Sequence, residues 1–343
     1  MIDEEGRPAA VRSPSRKRVL VLGATGTIGR ATALALAQRG HEVVCLVRPR
    51  AGVGGRLAPE ASAAMLDGCA VRFGHAADRT SLARDGFGGE EFDALVSCLG
   101  SRTGTPKDAW AVDYQANADA LALAKGAGVR HVVYLSAICV QKPRLAFQQA
   151  KLAFENLLVE SGPTWSIVRP TAFFKSLAGQ VERVKQGKPF LVFGDGTRTA
   201  CKPIGDRDLG EFLAGCLDDE SRWNRILPIG GPGAAITPRE QGERLFALVG
   251  REPKFRRAPF ALLDAIIVIL AALGKVSPAL AEKAELARIG RYYASESMLV
   301  LDPATGRYDA ALTPSTGSET LFDLYARMIR GEATIDRGDH AVF

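Results

Sequence analysis

Hydrophobic positions between residues 17 and 170 follow two alternating rhythms. Short, dense apolar runs recur as RVLVLG (18–23), EVVCLV (42–47), AVRFG (70–74), ALVSCLG (94–100), HVVYLS (131–136) and WSIVRP (165–170). Between them lie stretches with helical spacing, such as TIGRATALALAQRG (27–40), which predicts a helix closed at its C-terminus by Gly40. Most of the strand-like runs are apolar at every position instead of every second one. Strands of that kind are buried on both faces, so the pattern predicts an α/β fold: a doubly wound parallel sheet covered by helices on each side.

Beyond Pro170 the rhythm loosens into shorter, mixed segments, and the expected organisation is a smaller mixed α/β C-terminal substrate region. The division read from the chain is a disordered polar lead over 1–16, a nucleotide-binding domain over 17–170 and a substrate-binding region over 171–335, with the chain weaving between the last two. Thr237–Glu240 reads T-P-R-E, a capping box with proline at the first helical position, and predicts a helix start there. FALLDAIIVILAALG (260–274) is the greasiest segment but contains Asp264 and is too short to span a bilayer. It predicts a helix serving as core, as lid or as a surface that meets a membrane.

Composition narrows the classes further. The 343 residues are 47% hydrophobic and 24% charged, ordinary for a globular chain, with 44 Lys and Arg against 38 Asp and Glu. The resulting net charge of +6 is spread along the chain with no basic stripe interleaved with aromatics, so a nucleic-acid partner is not expected. Six cysteines (45, 69, 98, 139, 201, 216) form no C-x-x-C pair, and several sit in apolar runs. This favours a reducing, cytoplasmic setting over a disulfide framework. His41, His75, His131 and His340 are scattered, so no metal site is expected. The opening segment has no apolar core of the kind a signal peptide carries.

The chemistry begins at GATGTIGRA. Gly23, Gly26 and Gly29 form G-x-x-G-x-x-G after a strand and at the opening of a helix. Such a loop lets the backbone approach a pyrophosphate, which rests on the free N–H groups of the helix start. Thr25, Thr27 and Ile28 belong to the same candidate cradle. The second strand ends in VCLVRPR, with Arg48 where an NAD site would place an acid, so a 2′-phosphate and hence NADPH are favoured. Asp78, after the third strand, is either an adenine contact or a helix cap. Leu99 and Gly100, closing the fourth strand, are further candidate cofactor contacts, as are Pro170, Thr171 and Phe173 at the end of the sixth.

These features resemble the extended or atypical short-chain dehydrogenase/reductase superfamily, which has a Rossmann-like fold. There a Ser or Thr ends the fifth strand and Y-x-x-x-K follows on the next helix. Here Ser136 ends HVVYLS, and F-Q-Q-A-K (147–151) stands in the register of the second motif. The resemblance implies that Lys151 bonds the nicotinamide ribose and that Ser136 belongs to the catalytic set. Phe147 has no titratable proton and cannot do acid–base work, and Tyr134 lies inside the strand, where it is not expected to replace the missing phenol. Carbonyl reduction therefore fits poorly. Either the protein binds NADP(H) without chemistry, as a redox sensor or an accessory subunit, or it delivers hydride to a carbon whose charge the substrate itself stabilises.

From about 17 to 330, and most specifically in RPTAFFKSLAGQ, GKPFLVFGDG, ACKPIGDRDL, LPIGGPGAAITPREQG, GREPKF and IGRYYASESML, the chain resembles the NADPH-dependent divinyl chlorophyllide 8-vinyl reductase family of chlorophyll and bacteriochlorophyll synthesis. That family also has Phe before x-x-x-Lys. The resemblance implies reduction of a vinyl group on divinyl chlorophyllide or protochlorophyllide, with negative charge delocalised over the macrocycle and Phe147 as an apolar pad. Phe173, Phe174 and Lys175 are candidates to meet the pigment's flat face and propionate, with Lys202 and Arg291 as alternative carboxylate partners. Tyr292 and Tyr293, read as a strand pair, either pack and cap or donate the missing proton. The implied setting is the cytoplasm, next to a photosynthetic membrane.

Overall fold

The computed structural model describes residues 16–51, 55 and 57–335. The lead over 1–16, except residue 16, and His340 lie outside the described residues. Six strands form where the apolar runs predict them: β1 Arg18–Leu22, β2 Glu42–Val47, β3 Ala70–Phe73, β4 Ala94–Ser97, β5 His131–Leu135 and β6 Thr164–Pro170. Five more follow: β7 Phe190–Phe193, β8 Arg225–Ile229, β9 Phe255–Ala258 and a short antiparallel pair, β10 Val300–Leu301 and β11 Tyr308–Asp309. The main sheet is wholly parallel with seven strands in the order β3-β2-β1-β4-β5-β6-β8. Its seventh strand comes from beyond Pro170, so the chain crosses back over the boundary suggested by its sequence. β8 contains Pro228 and is one of the two edge strands, where a missing N–H is tolerated.

Alternation along each strand loads two cores. Val19 and Val21 of β1 point into one, together with Val43, Cys45, Val96 and Val133; Leu20 and Leu22 point into the other, with Val44, Leu95, Val132 and Tyr134. Helix α1 (Thr27–Gln38) covers the first face and α2 (Asn117–Gly126) and α3 (Ala146–Val159) the second. Helix α4 (Asp206–Gly215) lies against α1 so closely that a Cβ on Gly210 would meet the Ala31 carbonyl carbon at 2.6 Å. This is the doubly wound, Rossmann-like arrangement, and its strand order reverses between β1 and β4, which opens a crevice at their carboxyl ends.

The second lobe has its own core, including Phe174, Val181, Phe190, Val192, Leu245, Phe246 and Tyr325, over the parallel pair β7 and β9. Helix α5 (Pro238–Leu248) starts at the expected capping box, with Thr237 and Glu240 satisfying each other's backbone N–H groups. Helices α6 (Phe260–Gly274) and α7 (Pro278–Tyr293) form a hairpin, and α8 (Leu321–Arg330) closes the lobe. None of the residues of α6 is buried, so the core reading of 260–274 is corrected. Tyr292 and Tyr293 end α7 and are helical, not a strand pair. A small cluster of Ile138, Cys139, Leu145, Tyr292 and Met298, with Phe147 and Ile289 packed on it, joins the two lobes beside the crevice.

Candidate active site

The glycine loop sits at the crevice, and its spacing is enforced by contact. Gly23 has φ +80°, and a Cβ there would lie 2.6 Å from the Cys98 carbonyl oxygen; one on Gly29 would lie 2.2 Å from the Gly23 carbonyl oxygen. Only glycine fits these positions without moving backbone. Gly26 caps α1 with no side chain bonded to the helix start, and is exposed. The first N–H groups of α1 are thus offered to an anion. Thr25 and Thr27 flank them half-buried, while Ile28 is buried in the core and contributes backbone only.

Arg48 stands exposed just after β2, next to the strand that carries the loop. Asp78 accepts from the Thr80 and Ser81 N–H groups at 2.9 and 3.2 Å, the cap role its sequence allows. Leu99 and Gly100 follow β4 at the carboxyl edge, and the Leu99 N–H donates to Ser97 Oγ at 3.4 Å.

Lys151 lies on α3, 8% exposed, and is held from three sides. Its Nζ is 3.1 Å from Asp113 Oδ1 and 3.5 Å from both the Tyr134 hydroxyl and the Leu135 carbonyl oxygen. Burial works against its charge, yet Tyr134 and Asp113 raise its pKa above the ordinary lysine value, so the ammonium stays protonated. Tyr134 is itself wholly buried, its phenol pKa pushed up by burial, its ring edge-on to Phe154 at 4.7 Å. A phenol therefore does stand beside the lysine, supplied by the strand instead of by position 147.

Asp113 is carried by a π-helical turn, Trp110–Ala116, that runs into α2. Asn117 props that turn: its amide donates to the carbonyl oxygens of Val112 and Asp113, both at 3.1 Å, while its Oδ1 accepts from Ser97 Oγ at 2.5 Å. Asp113 Oδ1 also accepts from the Ser101 N–H at 3.3 Å, but Oδ2 is buried with no partner among the described residues. A buried carboxylate oxygen with nothing to accept, next to a lysine and Gly100, awaits a donor such as a ribose hydroxyl. Glycine cradle, open helix start and orphaned oxygen together fit a nicotinamide dinucleotide.

Ser136 and Arg169 are drawn to another acid. Ser136 donates to Glu155, which also takes the Arg169 guanidinium, with Nε 3.1 and 3.2 Å from its two oxygens. Glu155 is 1% exposed and four residues after Lys151 on the same helix, so this triad ties the ends of β5 and β6 to α3. Sequence reasoning missed both acids. Glu155 had a signal in its i+4 spacing from Lys151; Asp113 had none.

Several expected pigment contacts are corrected. Phe174 is 4% exposed and belongs to the second core, with its ring against Gly205. Lys202 donates to the Thr313 carbonyl and Ser315 hydroxyl at 2.8 and 3.3 Å, so its ammonium is already engaged by that segment. Tyr292 is buried and donates to the Cys139 and Lys142 carbonyl oxygens at 3.0 and 3.2 Å, with burial first among the causes raising its pKa. It packs and caps. Arg291 pairs with Asp264 at 2.7 Å. Pro170 and Thr171 are buried at the end of β6, Phe173 and Lys175 are half-buried beyond it, and Phe147 is half-buried one turn of α3 before Lys151.

The NAD(P)H-binding family matches residues 23–220. A leucoanthocyanidin reductase–NADPH complex from Vitis vinifera shares the fold, with a TM-score of 0.65 at 16% identity, covering 91% of this chain and 99% of that one. The chloroplastic divinyl chlorophyllide a 8-vinyl-reductase of Oryza sativa subsp. indica is 51% identical over 98% of this chain and 85% of its own length. Its Zea mays counterpart is 48% identical over 98% of this chain and 87% of its own. A likeness of that extent spans both lobes, not the nucleotide fold alone, and the chain therefore belongs to the divinyl chlorophyllide a 8-vinyl-reductase family.

Proposed function

We propose that this protein reduces the 8-vinyl group of divinyl chlorophyllide, or of its protochlorophyllide precursor, to ethyl with NADPH. The observation that carries the reading is the 51% identity over 98% of the chain to a reductase of that name. NADPH bound in the cradle would supply a hydride to the outer vinyl carbon; the alkene electrons would pass into the macrocycle, and the inner carbon would take a proton from water. No oxyanion forms, so no acid is required at position 147.

The chain's residues then have distinct tasks. The glycine loop and α1 hold the pyrophosphate, Arg48 the 2′-phosphate, and Lys151 the nicotinamide ribose while Asp113 and Tyr134 fix its ammonium. Leu99, Gly100, Pro170, Thr171 and Phe173 line the nicotinamide side, and Phe147 is an apolar pad. Ser136 acts through Glu155 as a positioning group. The region from 171 to 335 supplies the pigment side, with Phe173 and Lys175 at its mouth. A sensor or accessory subunit would bind NADP(H) without consuming it. Anaerobic incubation with divinyl chlorophyllide and NADPH, followed by pigment chromatography, separates the readings: monovinyl product with matching NADPH loss is expected, and cofactor binding with unchanged pigment would refute catalysis.

The outer side of α6 supports a peripheral contact with the photosynthetic membrane. Val268 on α6 is 68% and Val276, just beyond it, 85% exposed, and the flanking segments carry exposed Arg256, Arg257, Lys275 and Lys283. Among the described residues no helix is long and apolar enough to cross a membrane. An exposed apolar helix with basic residues in its flanking segments suits an anionic lipid surface, and six unpaired cysteines suit a reducing compartment such as the cytoplasm. Cosedimentation with anionic vesicles, lost in a Val268→Asp/Ile269→Asp double variant, is the expected result; equal sedimentation of both proteins would count against it.

A further inference from the structure

Under the α6–α7 hairpin lies a cavity of about 440 Å³, beside the cofactor crevice, with no residue of the glycine loop in its wall. Its lining brings four guanidiniums, Arg144, Arg198, Arg288 and Arg291, against two carboxylates, Asp264 and Glu296. Three of the four arginines already face an acid: Arg291 with Asp264 at 2.7 Å, Arg144 with Glu296 at 3.1 Å and Arg288 with Glu285 at 2.9 Å. Arg198 does not. Its guanidinium lies over the Phe260 ring at 5.2 Å and has no carboxylate partner among the described residues. Glu296 is further occupied by Lys142 at 3.0 Å and the Tyr308 hydroxyl at 2.8 Å, so it cannot swing to neutralise Arg198. The cavity has a surplus of positive charge and is walled in part by Leu145, Ile267 and Tyr292.

We propose that this cavity binds the substrate's free carboxylate, with Arg198 as its primary partner, and that it makes the protein selective for the acid over the esterified pigment. The proposal rests on the reductase reading above. The placement suits a flat molecule with its acid at one edge and its reacting alkene at another. Leu145, in the cavity wall, opens α3, and Phe147 and Lys151 follow on the same helix. Six residues of helix from Leu145 to Lys151 correspond to about 9 Å, so an acid seated here directs the ring past Phe147 towards the nicotinamide side. Leu145 and Tyr292 also belong to the cluster on which Phe147 packs, which makes cavity wall and pad one rigid unit. Arg198 is exposed at this open cavity, and a guanidinium meeting a carboxylate there makes a charge-assisted, two-pronged contact that an ester cannot reproduce.

The test compares divinyl chlorophyllide a with its methyl ester, in wild type, Arg198→Gln and Arg198→Lys, by turnover and by pigment fluorescence quenching with NADP+ present. Wild type is expected to favour the acid. Arg198→Gln should raise KM for the acid on the order of 10- to 100-fold and collapse the preference, with KM for NADPH unmoved, while Arg198→Lys keeps part of it. An acid-to-ester preference unchanged in Arg198→Gln overturns the cavity assignment. Wild type that reduces acid and ester equally also overturns it and leaves the reductase reading intact; wild type that binds the acid selectively but reduces neither pigment supports the cavity and refutes the reductase reading.

Discussion

Replacing Asp113 with Asn keeps the shape of the side chain and removes the only carboxylate paired with Lys151 among the described residues. At 3.1 Å the attraction is about 5 kcal/mol at an effective dielectric near 20. Desolvation of both groups offsets much of it in the native protein. Once the acid is gone, only the Tyr134 hydroxyl and the Leu135 carbonyl oxygen, each at 3.5 Å, face the buried ammonium, and breaking a buried pair in this way costs about 3–5 kcal/mol. That is a large share of a typical stability of about 5–15 kcal/mol. The pH dependence has a definite sign. In wild type the Lys151 pKa is raised, so its contribution is complete below the unfolded value of about 10.4 and is lost only as pH climbs through the folded value. In Asp113→Asn burial governs, the pKa falls below the unfolded value, and the penalty shrinks as pH rises towards 10. Urea unfolding at pH 7 and pH 9.5 measures both effects. The variant should lose about 3–5 kcal/mol at pH 7 and less at pH 9.5, and an added Lys151→Met should recover part of the loss. A cost under about 1 kcal/mol with a wild-type pH profile would refute the claim that Asp113 holds the ammonium.

Gly29→Ala forces a Cβ to within 2.2 Å of the Gly23 carbonyl oxygen; it should cost about 1–3 kcal/mol and abolish NADPH binding in calorimetry. Arg48→Glu should weaken NADPH by about 10- to 100-fold with little change in NADH affinity, and parallel losses for both would show that Arg48 does not read the 2′-phosphate. Phe147→Tyr should bring no gain in vinyl reduction, because the charge is held by the macrocycle; a large gain in kcat would mean that an acid there does matter.

The sequence by itself determined the sheet and the cradle. Of the six strands, β1, β2, β4 and β5 were legible because they are buried on both faces and almost wholly apolar, the more exposed β3 and the partly polar β6 by their place in the alternation with helices, and the glycine loop because its spacing reflects backbone contacts that only glycine survives. The edge strand β8 was not, since RILPI is half-exposed and carries a proline. The same limit applied to the site. Lys151 and Ser136 had a register to betray them and Glu155 shares the helix of Lys151, but Asp113 reaches the lysine from the π-helical turn before α2, a separate segment with no spacing that ties it to α3, and nothing in the strand pattern shows that the Tyr134 hydroxyl lies beside the ammonium. Which arginine is left without an acid was equally invisible, because pairing depends on how α6, α7 and the loop after β7 meet. Local patterning records what each residue needs from its own strand or helix. Only the tertiary structure decided which charges are satisfied, which are buried and which remain for a ligand.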